Sequence, residues 1–221
     1  MKILKHKFMT LALMLALGLL NASLSYGQGT CSSCAISALN AAEISTLQYM
    51  YDEEGVAGDF YLAMNALWQQ KAFSSIAAAE KKHAAALLKQ LSVHGITPIA
   101  GLDPNLVVIK EEVINRGSLS LLDAYMAAGL VEEQDISDLK LAMAATKAPE
   151  LIKVYGDLKK ASENHLRAVA KNVTNLGGQY VAQLLPENEV NTIIGVKSGK
   201  GPQSGNQQNR KQGANKQKGK K

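Results

Sequence analysis

Glu80 and His83 are the residues whose types and spacing point most directly to chemistry in this chain. They lie three residues apart in the run IAAAEKKHAAALLKQL at 76–91, where alanine and other strong helix formers predict a helix. Glu80 falls in the middle of the apolar stripe of that helix, and His83 lies at its edge. A carboxylate on a core-facing stripe is costly unless something compensates it, and Glu-x-x-His is the spacing by which one helix of a bundle offers two ligands to a metal ion. By itself this spacing is weak evidence, because it also occurs by chance in helices, so a metal site requires further ligands that point inward.

Three other predicted helices each place an ionisable side chain on an apolar face. Glu54 does so in the first, Glu132 in the third with Asp135 one turn further on, and His165 in the fourth, at the centre of its stripe. Together with the first pair they make four carboxylates and two imidazoles, the ligand set of a carboxylate-bridged dinuclear metal site. Each group alone has an ordinary explanation as a hydrogen-bonded core residue. Their occurrence on every helix is what favours a metal.

The elements that must position these residues are four long helices, predicted over 37–69, 73–93, 119–147 and 149–176. The first two are expected to be antiparallel neighbours because their connection is short. Residues 96–118 form a connection longer than is usual in a bundle, with a short helix predicted at 105–115. Such a segment can cross from one end of the bundle to the other. The expected fold class is all-α, a four-helix bundle with a long crossover between the second and third helices.

Other polar residues of these helices are assigned to less central positions. Glu53 and Glu133 are expected at the edges of their stripes, Asp138 further out, and Glu163 on the opposite side of its helix. Tyr61 lies on the inward face of the first helix, two turns beyond its acidic residue. It is expected to pack in the core, to hydrogen-bond a ligand, or to relay an electron.

Composition and charge agree with a helical domain between two basic ends. Hydrophobic residues make up 47% of the 221 residues but aromatic residues only 5%, which suits helix packing better than a β-sandwich. The formal charge of +5 comes from the ends, because residues 28–195 hold 13 basic and all 19 acidic residues, a net charge of −6. No specific nucleic-acid binding is therefore expected of the folded part.

Both ends are expected to lie outside the bundle, which is predicted over 43–180. Residues 1–27 have the basic start and apolar stretch of a secretory signal, with cleavage between Ser25 and Gln28 and an uncleaved anchor as the alternative. The expected location is periplasmic or extracellular. In the segment 28–42, Cys31 and Cys34 form a CxxC pair, for which a local disulfide is the default in an exported protein. The extension 181–221 is predicted to be basic and disordered from about 195, either solvated or in contact with an anionic envelope surface.

Four runs carry a resemblance to a known family. They are LQYMYDEEGVAGDFY at 47–61, FSSIAAAEKKHAAAL at 73–87, GLVEEQDISDL at 129–139 and LKKASENHLRA at 158–168. In this order they resemble the four helices of the domain of unknown function 2202 family, a ferritin-like family, over about residues 43–180. The wider superfamily uses di-iron sites, so the resemblance implies a ferritin-like four-helix bundle around such a site.

The last helix departs from the superfamily pattern. A second Glu-x-x-His is usual there, but the residue three before His165 is Ser162. Asp135, at i+3 from Glu132, could restore the number of carboxylates. Without it the site would be asymmetric, mononuclear or zinc-loaded, which affects ferroxidase-type chemistry more than metal binding.

Two functions therefore remain open. The first is an exported metal-binding protein with a di-iron centre and iron or peroxide oxidoreductase chemistry, with dioxygen or peroxide as the reactant. The alternative is a non-catalytic helical binding module of the cell envelope, stabilised by zinc or a single metal, and manganese also fits the ligands. A metal-free bundle whose carboxylates share protons is the third reading. A homodimer is compatible with the sequence, but no residue selects it.

Overall fold

The computed structural model describes residues 38–195, and this part of the chain contains six helices and no strand. The all-α prediction is confirmed. The predicted signal segment, both cysteines with their predicted disulfide, and the predicted basic tail from 196 lie outside the described residues. The helices are α1 (Ala41–Trp68), α2 (Lys71–Val93), α3 (Pro104–Gly117), α4 (Leu121–Ala145), α5 (Pro149–Asn175) and α6 (Glu187–Ile194).

Capping side chains fix where the helices begin. Asn40 and Glu43 form a reciprocal capping box at the start of α1, so the helix begins four residues later than the apolar pattern predicted. Ser120 accepts a hydrogen bond from the backbone N–H of Asp123 and starts α4 at residue 121 rather than 119. These shifts are small, and they leave the inward ionisable residues inside their helices.

Contacts between the helices define their directions. Thr146 at the end of α4 donates a hydrogen bond to Glu43 at the start of α1, 2.7 Å away, so α1 and α4 are antiparallel. His94, just after α2, lies 3.5 Å from Glu150 at the start of α5, so α2 and α5 are antiparallel as well. Only two residues separate α1 from α2, which therefore run in opposite directions. It follows that α2 and α4 run the same way, and that residues 94–120, including α3, cross the length of the bundle.

The interior consists of two apolar cores with a polar layer between them. One core contains Phe60, Phe73 and Tyr125, with their neighbours on α5 and beyond. The other contains Leu47 and Leu91, with their neighbours on α4 and α5. On α1, α2 and α5 the inward ionisable residues fall between the positions of the two cores, and on α4 Glu132 and Asp135 lie among residues of the first core, between Leu130 and Ile136. The polar layer is therefore enclosed at both ends, which shields it from water.

Helix α4 has buried residues all round its circumference, and this corrects the single-stripe prediction. Glu133, expected at an edge, is 0% exposed, and Asp138, expected further out, is 7% exposed. Glu53 on the facing side of α1 is likewise buried. The reason is that α4 packs against α1, α3 and α5 and also against the C-terminal segment. One hydrophobic stripe cannot represent a helix with that many neighbours.

The chain beyond α5 continues on the bundle. Tyr180, at the predicted end of the bundle, is buried in the first core. Val190 and Ile193 of α6 are buried in the same core, although the extension from 181 was expected to lie outside the bundle. Glu133 holds this segment: its carboxylate accepts a hydrogen bond from the Tyr180 hydroxyl at 2.6 Å and from the backbone N–H groups of residues 183–185. Among the described helices, none combines the length and the apolar character needed to cross a bilayer.

Candidate metal centre

The polar layer brings together the five residues predicted from the four long helices. α1 contributes Glu54, α2 contributes Glu80 and His83, α4 contributes Glu132, and α5 contributes His165. The three carboxylates are each 2% exposed. The two histidine side chains are 13% and 14% exposed, and their rings stack with centroids 5.6 Å apart. The three carboxylates are buried, as the sequence predicted. His83, predicted at the edge of its stripe, and His165, predicted at the centre, are almost equally exposed.

Glu80 is the centre of the arrangement. Its Oε2 lies 2.6 Å from Nδ1 of His83, and its Oε1 lies 2.9 Å from Nδ1 of His165. Nδ1 of His83 is also 3.3 Å from Oε2 of Glu54, and Nδ1 of His165 is 3.4 Å from Oε2 of Glu132. One carboxylate therefore lies between two equivalent Glu–His pairs.

These residues form two overlapping groups of three. Glu54, Glu80 and His83 make one group, and Glu80, Glu132 and His165 make the other. Within each group one potential ligand atom per residue lies within 4.8 Å of the other two. Because Glu80 belongs to both groups, it is placed as a bridging carboxylate would be between two metal ions.

Asp135, the predicted sixth ligand, lies beside this cluster but in neither group. Its Oδ2 accepts a hydrogen bond from the Ser162 hydroxyl, so the serine that replaces the usual glutamate contacts the aspartate that was expected to compensate for it. Its Oδ1 is buried and accepts no hydrogen bond from the described residues. Asp135 therefore has one carboxylate oxygen engaged and one free to bind.

Tyr61 fixes the orientation of Glu132. Its ring is 0% exposed and packs edge-on against Phe60, and its hydroxyl donates a hydrogen bond to Oε1 of Glu132. This leaves Oε2 of Glu132 facing His165. Of the predicted roles for Tyr61, core packing and hydrogen bonding to a candidate ligand are both observed.

Burial and mutual repulsion strongly perturb the ionisation of the cluster. Burial raises the pKa of Glu54 well above its usual range, and the nearby Asp135 and Glu80 carboxylates raise it further. Burial also raises the pKa of Glu132. Burial lowers the pKa of His165, but the nearby carboxylates of Glu132 and Glu80 outweigh it and raise the pKa to about 10. Without a metal, protons must therefore neutralise much of the cluster.

The donor set and its unpartnered atoms fit divalent metal ions. Oε1 of Glu54 and Oδ1 of Asp135 are buried and have no hydrogen bond to any residue in 38–195. Oε1 of Glu80 and Nδ1 of His165 are 2.9 Å apart, but their geometry does not meet the criteria of a hydrogen bond, and neither atom has another partner among the described residues. Buried polar atoms normally have hydrogen-bond partners. Close ligand atoms without a hydrogen bond between them are expected where both atoms face a shared metal ion. Within residues 38–195 the ion pairs of these glutamates are with histidine, not with Lys or Arg.

A second group of polar side chains was missed by the sequence analysis. Glu53, Gln134 and Asp138 lie between α1 and α4, next to Asp135, and each is 7% exposed. Gln134 Nε2 donates a hydrogen bond of 2.6 Å to Asp138, and the carboxyl groups of Glu53 and Asp138 lie within hydrogen-bonding reach of each other. The available signal was the density of acids in VEEQDISD at 131–138, which no single outward face can hold.

Comparison with known proteins assigns the chain to a family. The family model described as "Uncharacterized protein domain (DUF2202)" matches residues 43–197, so the chain belongs to this family, as the resemblance predicted. The chain is 28% identical over 159 residues to the uncharacterized protein MJ0754 of Methanocaldococcus jannaschii, covering 69% of this chain and 86% of that protein. The crystal structure of the hypothetical protein MJ0754 from Methanococcus jannaschii has a similar fold. The TM-score is 0.70 at 27% identity, covering 76% of this chain and 100% of that one.

Proposed function

We propose that this member of the DUF2202 family is a ferritin-like four-helix protein that holds two metal ions between its long helices, with iron as the metal and iron or peroxide oxidoreduction as its reaction class. The observation that carries the proposal is the position of Glu80. Its two oxygens lie 2.6 and 2.9 Å from two different histidines, each of which has a further glutamate beside it. A carboxylate with only a structural role would not require a histidine and a second glutamate on each side.

The topology supports the ferritin-like assignment. Ferritin-like folds consist of two antiparallel helix pairs, which are joined by one connection that crosses the whole bundle. In that class the metal ligands project inward from all four helices at the middle of the bundle. The polar layer between the two apolar cores occupies the corresponding position here.

The electrostatics support two divalent ions rather than one. When ionised, the carboxylates of Glu54, Glu80, Glu132 and Asp135 carry four negative charges, which two divalent ions balance. Mixed carboxylate and imidazole donors suit iron, with manganese and zinc as the alternatives. Iron bound there would supply one-electron redox chemistry with dioxygen or peroxide as the oxidant.

The residues of the chain have separate tasks in this proposal. Glu80 would be shared by the two ions, and each glutamate–histidine pair would hold one of them. Tyr61 orients Glu132 through its hydroxyl, and it is placed to donate or accept a proton at Oε1 of that carboxylate. The apolar cores on both sides exclude bulk water, which strengthens the electrostatic interactions within the layer.

One observation favours the alternative of a non-catalytic, metal-stabilised module. Asp135 belongs to neither group, so each group has three protein ligands. Three protein ligands and a water suffice for zinc in tetrahedral geometry. A zinc ion in one group would stabilise the bundle without redox chemistry.

Location and partners remain part of the proposal. The signal-like residues 1–27 support export to the periplasm or the extracellular space, and the eight basic residues and absence of acids in 196–221 support contact with an anionic envelope surface.

Metal content distinguishes these functions. The purified protein would be analysed for iron, zinc and manganese as isolated, and again after anaerobic loading with Fe(II). Glu80→Ala and His165→Ala are the test variants. Glu163→Ala is the matched control, because Glu163 lies on α5 two residues from His165 but pairs with Lys159 instead. The proposal expects two irons per chain in the wild type and control, a loss in both test variants, and an iron-dependent absorption change in air.

Other outcomes are equally informative. About one zinc per chain with no change in air would favour the metal-stabilised module. No bound metal in any form would refute both, and the buried carboxylates would then be neutralised by protons alone. Chelator treatment followed by thermal unfolding measures the contribution of the metal to stability, because binding energy at such a site adds to folding energy.

A further inference from the structure

A small cavity lies beside the dinuclear cluster, under the crossover helix. Its volume is about 30 Å³, and it is bounded by α1, α3 and α4. The α3 side is apolar, with Leu106 and Val113 in the wall. The opposite side carries three polar residues, Glu53, Gln134 and Asp135. A space of this size accommodates a water molecule or a small ion, since about 10–15 Å³ is enough for one water.

Each of the three polar residues has a buried oxygen without a partner. Oε2 of Glu53, Oε1 of Gln134 and Oδ1 of Asp135 accept no hydrogen bond from the described residues. The residues are 7%, 7% and 6% exposed, so bulk water does not solvate them freely. Three unpartnered oxygens on residues that line one cavity are an exception to the rule that buried polar atoms are paired.

The orientation of Gln134 strengthens the case for a cation. Its amide nitrogen donates to Oδ2 of Asp138 at 2.6 Å, which turns its carbonyl oxygen away from that carboxylate. Every unpartnered polar atom of the three lining residues is therefore an oxygen acceptor. A cation satisfies several acceptors at once, whereas a water molecule has only two protons to donate.

We propose that Glu53, Gln134 and Asp135 form an additional site for a divalent cation in this cavity, with Asp138 holding Gln134 in position. The donor set is oxygen only, which suits a hard ion such as Mn²⁺, Mg²⁺ or Ca²⁺. The site differs from the dinuclear cluster in lacking histidine. Asp135 lines the cavity and also lies beside the dinuclear cluster.

A shared proton is the competing explanation, and it accounts for less. A proton on Glu53 satisfies the hydrogen bond between Glu53 and Asp138. It leaves Gln134 Oε1 and Asp135 Oδ1 without partners. A cation bound among these residues would provide a partner for each of the three oxygens.

Manganese binding tests the proposal. The full chain, freed of metal, would be titrated with Mn²⁺ alone, and the free ion would be followed by electron paramagnetic resonance. We expect Glu53→Gln and Asp138→Asn each to bind one Mn²⁺ fewer than the wild type. Asp59→Asn is the matched control, because Asp59 lies on the same helix but pairs with Lys110 at the surface, and it should bind as the wild type does. Two variants on different helices keep the test valid if one of them folds poorly, which a thermal melt reports.

The result separates this site from the dinuclear one. Glu80→Gln should lower binding at the cluster while the manganese that depends on Glu53 remains. Equal stoichiometry in the wild type, Glu53→Gln and Asp138→Asn would overturn the additional site and leave the proposed function untouched. A loss in Glu53→Gln with no effect of Glu80→Gln would support the additional site and count against the dinuclear centre.

Discussion

Removing the hydroxyl group of Tyr61 tests whether a buried hydrogen bond prepares Glu132 to bind metal. Tyr61→Phe deletes the donor to Oε1 of Glu132 and leaves the ring in its apolar surroundings, because the residue is 0% exposed. Glu132 itself is 2% exposed, so water cannot replace the lost donor without a rearrangement. The substitution should therefore affect both folding and metal binding.

The expected magnitudes follow from the burial of the acceptor. A buried acceptor without its donor costs about 1–3 kcal/mol, and the metal-free protein should lose that much unfolding free energy. Loss of a hydrogen bond that orients a metal ligand weakens affinity about 10–100-fold, which corresponds to about 1.4–2.8 kcal/mol. The loss should be larger at the group of Glu132 and His165 than at the group of Glu54 and His83, which Tyr61 does not contact.

Urea unfolding of the metal-free protein and competition with a chelator measure the two effects. Tyr155→Phe is the matched control, because Tyr155 is 1% exposed and its hydroxyl makes no hydrogen bond with the described residues. It should leave metal affinity unchanged and should not destabilise the protein by more than about 0.5 kcal/mol. If the two variants behave alike in both assays, the hydroxyl of Tyr61 does not position Glu132, and the reasoning is wrong.

Two further predictions concern the contacts that close the bundle. Gly129→Ala should destabilise the protein by about 1–3 kcal/mol and expose residues 180–195 to limited proteolysis, because an added Cβ would overlap the Tyr180 ring and hydroxyl. Glu43→Gln should cost about 1–2 kcal/mol near pH 7 in urea unfolding, because hydrogen bonds from Asn40 and Thr146 hold the pKa of Glu43 below its ordinary value of 4.5. A lowered folded-state pKa contributes stability above the unfolded value, so the difference should be constant above about pH 5.5 and shrink as the pH falls below 4.5.

Each of these predictions has a control. Gly156→Ala places its Cβ 3.7 Å from Met143, an ordinary contact, and should be neutral or stabilising. Protease resistance of the C-terminal segment in Gly129→Ala would contradict the proposed overlap. A difference between Glu43→Gln and the wild type that grows as the pH falls would contradict the sign of the Glu43 argument. Comparing the two proteins at each pH cancels the titration of the polar layer they share.

Local patterns were enough to locate the four long helices. The apolar spacing around Glu80 and the run of alanines specify α2 almost to the residue, since Lys71–Val93 was predicted as 73–93. The starts of α1 and α4 were less well predicted, because hydrogen bonds from the capping residues decide them and apolar periodicity carries no such information. The residues Glu54, Glu132 and His165 were found because a charged residue inside an apolar stripe is conspicuous in sequence.

The burial of the acidic residues of α4 could not be predicted from apolar periodicity. A prediction from one apolar stripe gives a helix a single buried face and a single exposed face. Glu133 was therefore assigned to the edge of the buried face and Asp138 to the exposed face. In the structure Glu133 binds the backbone of 183–185, and Asp138 faces Glu53. Both assignments depend on which segments pack on the far side of α4, and the C-terminal segment reaches it from about 50 residues away.

The sequence by itself determined that the acids and histidines of the candidate metal centre lie on the apolar faces of their helices, because the 3.6-residue repeat of a helix fixes the direction of each side chain. Only the tertiary structure decided how they pair. In the structure Glu80 lies between His83 and His165. Asp135 accepts a hydrogen bond from Ser162, and a cavity lies beside Glu53. Pairing depends on the relative height and rotation of packed helices. These are set by contacts between residues distant in the chain, which no local pattern encodes.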